Sequence, residues 1–258
     1  MAIIHIELYS VAAKPIEMQF QGQSLSSGTA FIWQVNQQAY LITNWHNITG
    51  INPQTKQHLS PMVAEPDSIV VYLDKAGKLG ERFPTTLDLR DGNGNPLWLE
   101  HPKGHIVDVV ALPLAIIPEV DFHPINALTQ FPMRVSVGLD AFILGYPFGI
   151  GVSTLPIWKR ASIASEPEIS INNLPYFYVD TASRPGMSGS PVILYSDSGS
   201  FIDEKGNRGI STAMTTRFIG IYSGRIGAED ELKAQLGTVW RAEVIEQIIS
   251  GARPGQIP

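Results

Sequence analysis

Apolar residues along the chain come in short runs, not in long helical stripes. Ile69-Val-Val-Tyr-Leu, Ala141-Phe-Ile-Leu-Gly, Tyr176-Phe-Tyr-Val and Pro191-Val-Ile-Leu-Tyr are rich in β-branched or aromatic residues and are bounded by Gly, Pro, Asn or Asp. Such side chains pack well on a pleated, half-buried surface and the flanking residues favour turns, so each run predicts a strand. Between the strands, Asp91-Gly-Asn-Gly-Asn-Pro, Asp197-Ser-Gly-Ser and Asp203-Glu-Lys-Gly-Asn have the composition of exposed hairpin tips. The pattern predicts an all-β chain built as barrels. No repeat is visible, and the Pro-rich stretch Ile116-Ile-Pro-Glu-Val-Asp-Phe-His-Pro-Ile is the candidate connection between two halves.

One strand start carries chemistry. In Asp180-Thr-Ala-Ser-Arg-Pro-Gly-Met-Ser-Gly-Ser-Pro-Val-Ile-Leu, Ser188 sits on a predicted tight turn, flanked by Gly186 and Gly189, just before an apolar strand. Glycine permits backbone dihedrals that let amide N–H groups converge beside a hydroxyl, so the amides of Gly186 and Ser188 are candidates for an oxyanion hole. A serine needs a base, and the base an orienting partner. Ala39-Tyr-Leu-Ile-Thr-Asn-Trp-His runs an apolar strand into His46, and His105-Ile-Val-Asp-Val-Val-Ala-Leu places the lone carboxylate of Asp108 in a buried-looking run. A buried carboxylate requires a partner, and an imidazole N–H is a suitable one. Asp121, set among prolines and polar residues, is the alternative third member.

The order His46, Asp108, Ser188, with Ser27-Gly-Thr-Ala-Phe-Ile, Leu41-Ile-Thr-Asn-Trp-His, Asp108-Val-Val-Ala-Leu, Gly186-Met-Ser-Gly-Ser-Pro and Phe218-Ile-Gly-Ile-Tyr-Ser-Gly, resembles the trypsin-like (chymotrypsin-fold) serine peptidases, nearer the bacterial glutamyl endopeptidases and Deg-type proteases than the digestive enzymes. The resemblance implies two six-stranded antiparallel β-barrels, one over residues 1–125 carrying His46 and Asp108, the other over 126–258 carrying Ser188 and ending in a helix near 240–250. The tail from Gly251 cannot continue that helix and is expected to fray. The implied activity is endopeptidase cleavage through an acyl-enzyme, with a protein or peptide substrate and no cofactor or metal. The implied substrate-binding residues are Ala182, Ser183 and Arg184 on one wall and Tyr222, Ser223 and Gly224 on the other. Two departures matter. Met187 stands where digestive members carry an acid that pairs with a new N-terminus, and Tyr222 replaces the histidine that helps glutamyl endopeptidases hold an acidic side chain. A small or apolar residue before the cut is therefore favoured over an acidic one recruited by Arg184 or Arg225, and a basic preference is disfavoured.

Composition narrows the alternatives. At 258 residues the chain can bury a sizeable core. A net charge of −6 without any long Lys/Arg run argues against a nucleic-acid partner. With no cysteine the fold stands without disulfides, which suits a reducing compartment. The start, Met-Ala-Ile-Ile-His-Ile-Glu, has no basic region or apolar stretch of a signal, and no run reaches about eighteen apolar residues, so a cytoplasmic chain without membrane contact is expected. His5, His58, His101, His105 and His123 lack ligand spacing. A protease-fold module that binds a peptide or partner without turnover, or a peptidase controlled by a regulatory protein, is the competing reading.

Overall fold

The computed structural model describes residues 6–149, 151, 155–182, 184–225 and 235–256. A short helix α1 (Leu8–Ala12) leads into strands β1 (Ala13–Phe20), β2 (Gln23–Val35) and β3 (Gln38–Thr43), then helix α2 (Trp45–Thr49). Strands β4 (Ser68–Lys75), β5 (Arg82–Asp88), β6 (Leu99–Glu100), β7 (Val110–Leu114) and β8 (Val120–Asp121) complete the first half. The second half holds β9 (Asp140–Gly145), β10 (Ile157–Ile163), β11 (Tyr176–Asp180), β12 (Pro191–Ser196), β13 (Ser200–Ile202), β14 (Arg208–Ile210), β15 (Thr215–Arg225), β16 (Leu236–Arg241), helix α3 (Glu243–Gly251) and β17 (Arg253–Pro254). Every apolar run singled out above lies in a strand, and two of the three turn-rich segments tip hairpins: Asp91 and Asp203 each accept backbone N–H bonds from residues two and four positions on.

The second half closes as expected into a six-stranded antiparallel barrel, in the order β10-β11-β16-β15-β12-β9. The first half corrects the expectation of a second closed barrel. It is a nine-stranded sheet in the order β17-β6-β7-β3-β2-β1-β4-β5, with β8 on β4. Its outer strands are β5 and β17, and the chain passes from β5 to β6 without a ladder between them. There the chain turns through Asp91–Asn95 and is held by Leu97 N–H to the Leu89 carbonyl at 3.0 Å and an isolated Arg90–Pro96 bridge. Pro96 has no N–H with which to extend a ladder.

The C-terminus carries the expected helix near 240–250 and departs from expectation in its tail. Helix α3 begins at Glu243, because Trp240 belongs to β16, paired with Tyr176 and Ile221. As far as Gln256 the tail is held and does not fray. Arg253 and Pro254 pair with Glu100 and Leu99, and the N–H groups of Gly255 and Gln256 donate to the Trp98 carbonyl (2.8 Å) and Glu100 Oε1 (2.9 Å). The cause is the Glu100 carboxylate. It is buried and also accepts from the indoles of Trp45 (3.0 Å) and Trp98 (3.2 Å), so the tail amide helps satisfy a charge that would be costly to bury alone.

Three apolar cores follow from strand alternation. One fills the first sheet around Ile32, Leu41, Val71 and Leu112, and one fills the barrel around Ile143, Phe177, Val192 and Val239. The third lies between the halves, where Phe31, Trp33 and Ile42 meet Leu144, Tyr146, Ile193, Phe218 and Ile221, with α3 closing one side through Val244, Ile245 and Ile248. The two halves are thereby fixed against each other, and the chain segments at their seam carry the site.

Candidate active site

His46 stands three residues past the end of β3, in the single turn α2, which Gly50 closes in the left-handed conformation by donating its N–H to the His46 carbonyl at 2.9 Å. Asp108 precedes β7, the strand that pairs with β3. Strand pairing therefore sets the two side by side. His46 Nδ1 lies 2.7 Å from Asp108 Oδ2, and the His46 backbone N–H donates to Oδ1 at 2.9 Å. The Asp108 carboxylate is 2% exposed and is further held by the Ser223 hydroxyl, which donates to Oδ2. Asn44 Nδ2 fixes the backbone by donating to the Asp108 carbonyl at 2.7 Å. With Nδ1 committed to a carboxylate, Nε2 of His46 is left to accept a proton. Asp121 is excluded from this constellation: it lies in β8, paired with Asp74 of β4, and its Oδ2 accepts the Gly77 N–H at 2.7 Å.

Ser188 comes from the other half, on the turn before β12. Its carbonyl accepts the Thr29 N–H at 2.9 Å and Asn47 Nδ2 at 3.2 Å, so the residue after His46 ties the serine turn to the histidine helix. Its hydroxyl stands 3.7 Å from where a β-carbon on Gly224 would be, which places the end of β15 beside it. Gly186 and Gly189 adopt φ of 92° and 85°, and a β-carbon on either would strike the Tyr146 or Thr29 carbonyl. The Pro185 carbonyl accepts the Phe148 N–H at 2.7 Å. In a trans peptide the N–H points opposite the carbonyl, so the Gly186 N–H is turned away from Phe148.

The remaining substrate-wall residues separate. Ala182 and Arg184 are exposed on the turn leading to Ser188, and Ser183 lies outside the described residues. Ser223 directs its hydroxyl at Asp108. Tyr222 is fully buried, its ring against Gly237 in β16, while its backbone pairs with the serine turn through Gly189 N–H to the Tyr222 carbonyl at 2.9 Å. The side chain of Arg225 is outside the described residues.

Three residues to which the sequence reading assigns no role complete the site. Thr29 donates its hydroxyl to the Gly186 carbonyl at 2.8 Å, Thr43 donates to the Thr29 carbonyl at 2.8 Å, and Asn47 donates to Thr43 Oγ1 at 2.9 Å. All three are buried polar side chains, so each needs a partner inside the fold. The other histidines do different work. His101 Nε2 contacts Gln247 Oε1 at 2.8 Å, and the His105 ring packs on Trp45 with centroids 5.5 Å apart. Burial pushes both, and His123, below the usual imidazole range. Among the described residues no three His, Cys, Asp or Glu side chains group as metal ligands, and no helix is long and apolar enough to cross a membrane.

Solved structures share this arrangement of strands. The active form of the Rv3671c protease from M. tuberculosis is 16% identical and superposes with a TM-score of 0.52, covering 96% of this chain and 83% of that one. The serine endoprotease from Yersinia pestis is 13% identical, with a TM-score of 0.52 over 97% of this chain and 70% of that one. At these identities the likeness speaks for the fold. No curated protein sequence matches the chain. The trypsin-like peptidase domain model does match, over residues 28–202, a span that contains the histidine, aspartate and serine segments. That match covers more than half of the sequence: the chain belongs to the trypsin-like peptidase family.

Proposed function

We propose that this peptidase is a serine endopeptidase in which His46, Asp108 and Ser188 form the catalytic triad. The observation that carries the reading is the doubly anchored His46–Asp108 pair, 2.7 Å at Nδ1 and 2.9 Å at the backbone N–H, with Asn47 joining the same helix to the Ser188 carbonyl. Asp108 fixes the tautomer that leaves Nε2 basic. His46 then takes the Ser188 proton as the hydroxyl attacks a peptide carbonyl, and returns it to the leaving amine. The acyl-enzyme is hydrolysed by water through the same steps in reverse order of partners. The amides of Gly186 and Ser188 hold the developing oxyanion, a role supported by the outward Pro185 carbonyl. Tyr222, Ser223 and Gly224 on one wall and Ala182, Ser183 and Arg184 on the other bound the subsite for the residue before the cut. The test is labelling of the full chain by a fluorophosphonate probe: modification that disappears in Ser188→Ala supports the triad. A folded wild-type protein that takes no label supports a peptide-binding module instead. Ser188→Ala is also expected to cut turnover on peptide or ester substrates by about 10⁶ while the fold persists.

A further inference from the structure

The turn that presents Ser188 lacks two of the restraints that could hold such a loop. The chain has no cysteine, and Met187, buried at 1% exposure, carries no charge with which to make an ion pair. Besides the bonds from Thr29, Asn47 and Tyr222 to its second half, the first half of the turn is restrained by the segment that follows β9. Tyr146 donates its N–H to Thr29 Oγ1 at 3.2 Å, the atom that itself donates to the Gly186 carbonyl. The Tyr146 carbonyl sits where a β-carbon on Gly186 would go and accepts the Gly149 N–H at 2.9 Å. Between them, Phe148 is held at φ 54° and gives its N–H to Pro185. A left-handed, 61%-exposed phenylalanine is locally unfavourable, so something must hold this segment in place.

The anchor is the phenol of Tyr146. It accepts from Arg82 Nη1 at 2.6 Å and donates to the Ala13 carbonyl at 3.1 Å. Burial raises its pKa to about 12, so it stays a neutral donor. Arg82 is fixed in turn: Nε to Asp74 Oδ1 at 3.0 Å, and Nη2 to the carbonyls of Val11 (3.2 Å) and Ala13 (3.0 Å). Lys14 caps the same carboxylate through Oδ2 and gives a second bond to the Val11 carbonyl at 2.6 Å. The side chains of Lys14, Asp74 and Arg82 are fully buried. Charged groups this deep are costly and contribute little net stability compared with apolar packing of equal volume. What they do supply is direction, because a planar guanidinium with its donors committed admits a phenol in one place.

We infer that Tyr146, seated on the buried Lys14–Asp74–Arg82 cluster, is the positioning residue that holds the Pro185–Ser190 turn in its reactive shape. The inference rests on the reading of that turn as nucleophile and oxyanion loop. It assigns the first sheet a part in shaping a loop of the second barrel, with no charge from the loop itself.

Tyr146→Phe removes one oxygen and keeps the ring in the core. Two readouts are compared with wild type and with Ile69→Val, a core variant of the first sheet that serves as a stability control. Hydrolysis of an N-acyl-alanine p-nitrophenyl ester is expected to lose about tenfold in kcat with KM nearly unchanged, the consequence of losing the phenol's bonds to the Arg82 guanidinium and the Ala13 carbonyl. Amide hydrogen exchange of the 185–190 segment is expected to quicken in Tyr146→Phe and not in Ile69→Val. A kcat within about twofold of wild type, with Tm lowered as in the control, overturns the inference. So does unchanged exchange in the loop. If wild type neither hydrolyses the ester nor takes the fluorophosphonate, the proposed function falls, and the exchange comparison alone decides whether Tyr146 holds the loop.

Discussion

Asn47, one residue past the proposed base, donates its side-chain amide to the carbonyl of Ser188, the proposed nucleophile, at 3.2 Å. The same Nδ2 reaches Thr43 Oγ1 at 2.9 Å, and the amide lies against Gly28, where a β-carbon would stand 2.9 Å from it. One planar group thus spans the seam between the halves. Asn47→Ala leaves the Thr43 hydroxyl and the Ser188 carbonyl each short of a donor. It is expected to cost about 1–3 kcal/mol of stability and about tenfold in turnover, the second because His46 and Ser188 lose a common restraint. Denaturant unfolding and steady-state kinetics on one preparation check both. Unchanged turnover with lowered stability would confine Asn47 to packing.

The carboxylate assignment separates cleanly by mutation. Asp108→Asn is nearly isosteric but turns an amide toward Nδ1 and favours the wrong tautomer, so turnover should fall by about 10⁴ with the fold retained. Ser223→Ala removes one donor from Asp108 and should cost about tenfold. Asp121→Asn perturbs only the cap on Gly77 and should leave turnover unaltered. Damage from Asp121→Asn with Asp108→Asn harmless would reverse the roles.

How far the sequence carries this structure depends on the reach of each interaction. The strand runs, the hairpin tips at Asp91 and Asp203, and the order of the His46, Asp108 and Ser188 segments are local patterns, readable because a turn or an alternation needs only its own residues. The Asn47–Ser188 and Thr29–Gly186 bonds join backbone atoms more than a hundred residues away to side chains that any buried position might carry. Ser223 reads as a cleft wall, yet its hydroxyl belongs to Asp108. Lys14, Asp74 and Arg82 sit in strands where alternation marks charged residues as solvent-facing, and only their mutual pairing across sixty residues makes burial tolerable. The open edges of the first sheet, β5 and β17, come from segments more than 160 residues apart, and no local pattern announces that they stay unpaired.

Lys14 supplies a pH test. Burial, and then the neighbouring Arg82, lower its pKa to about 8 from 10.5, with Asp74 and Asp121 opposing. The folded chain therefore releases this proton at lower pH than the unfolded chain. Between about pH 8 and 10 the unfolded state binds more protons at this site, and the linkage favours folding as pH rises. Above that window Tyr146 and Tyr176, raised to about 12 mainly by burial, act in the opposite sense, since the unfolded chain ionises them first. Stability against urea, measured at intervals from pH 7 to 10, should gain more with pH in wild type than in Lys14→Met, which lacks the titrating group. Parallel curves would show that Lys14 keeps its proton through this range.

The last prediction concerns which residue precedes the cut. The Tyr222 ring fills the room left by Gly237, where a β-carbon would come within 3.0 Å of Cζ, and the ring is fully buried beside Met187 and Val239. With this ring occupying the space behind the proposed subsite, a small, uncharged side chain is expected before the cut, alanine or serine in place of a long one. Each methylene that a pocket must reject is worth about 1–3 kcal/mol, so cleavage after alanine should exceed cleavage after leucine by about tenfold or more. Tyr222→Val removes the phenol and should shift the preference toward leucine and methionine, with lowered stability from the cavity it leaves. Profiling a peptide library with both proteins measures the shift. A preference for glutamate or aspartate would move recognition to Arg184, and one for lysine or arginine would refute the pocket, because no acid stands at its base among the described residues.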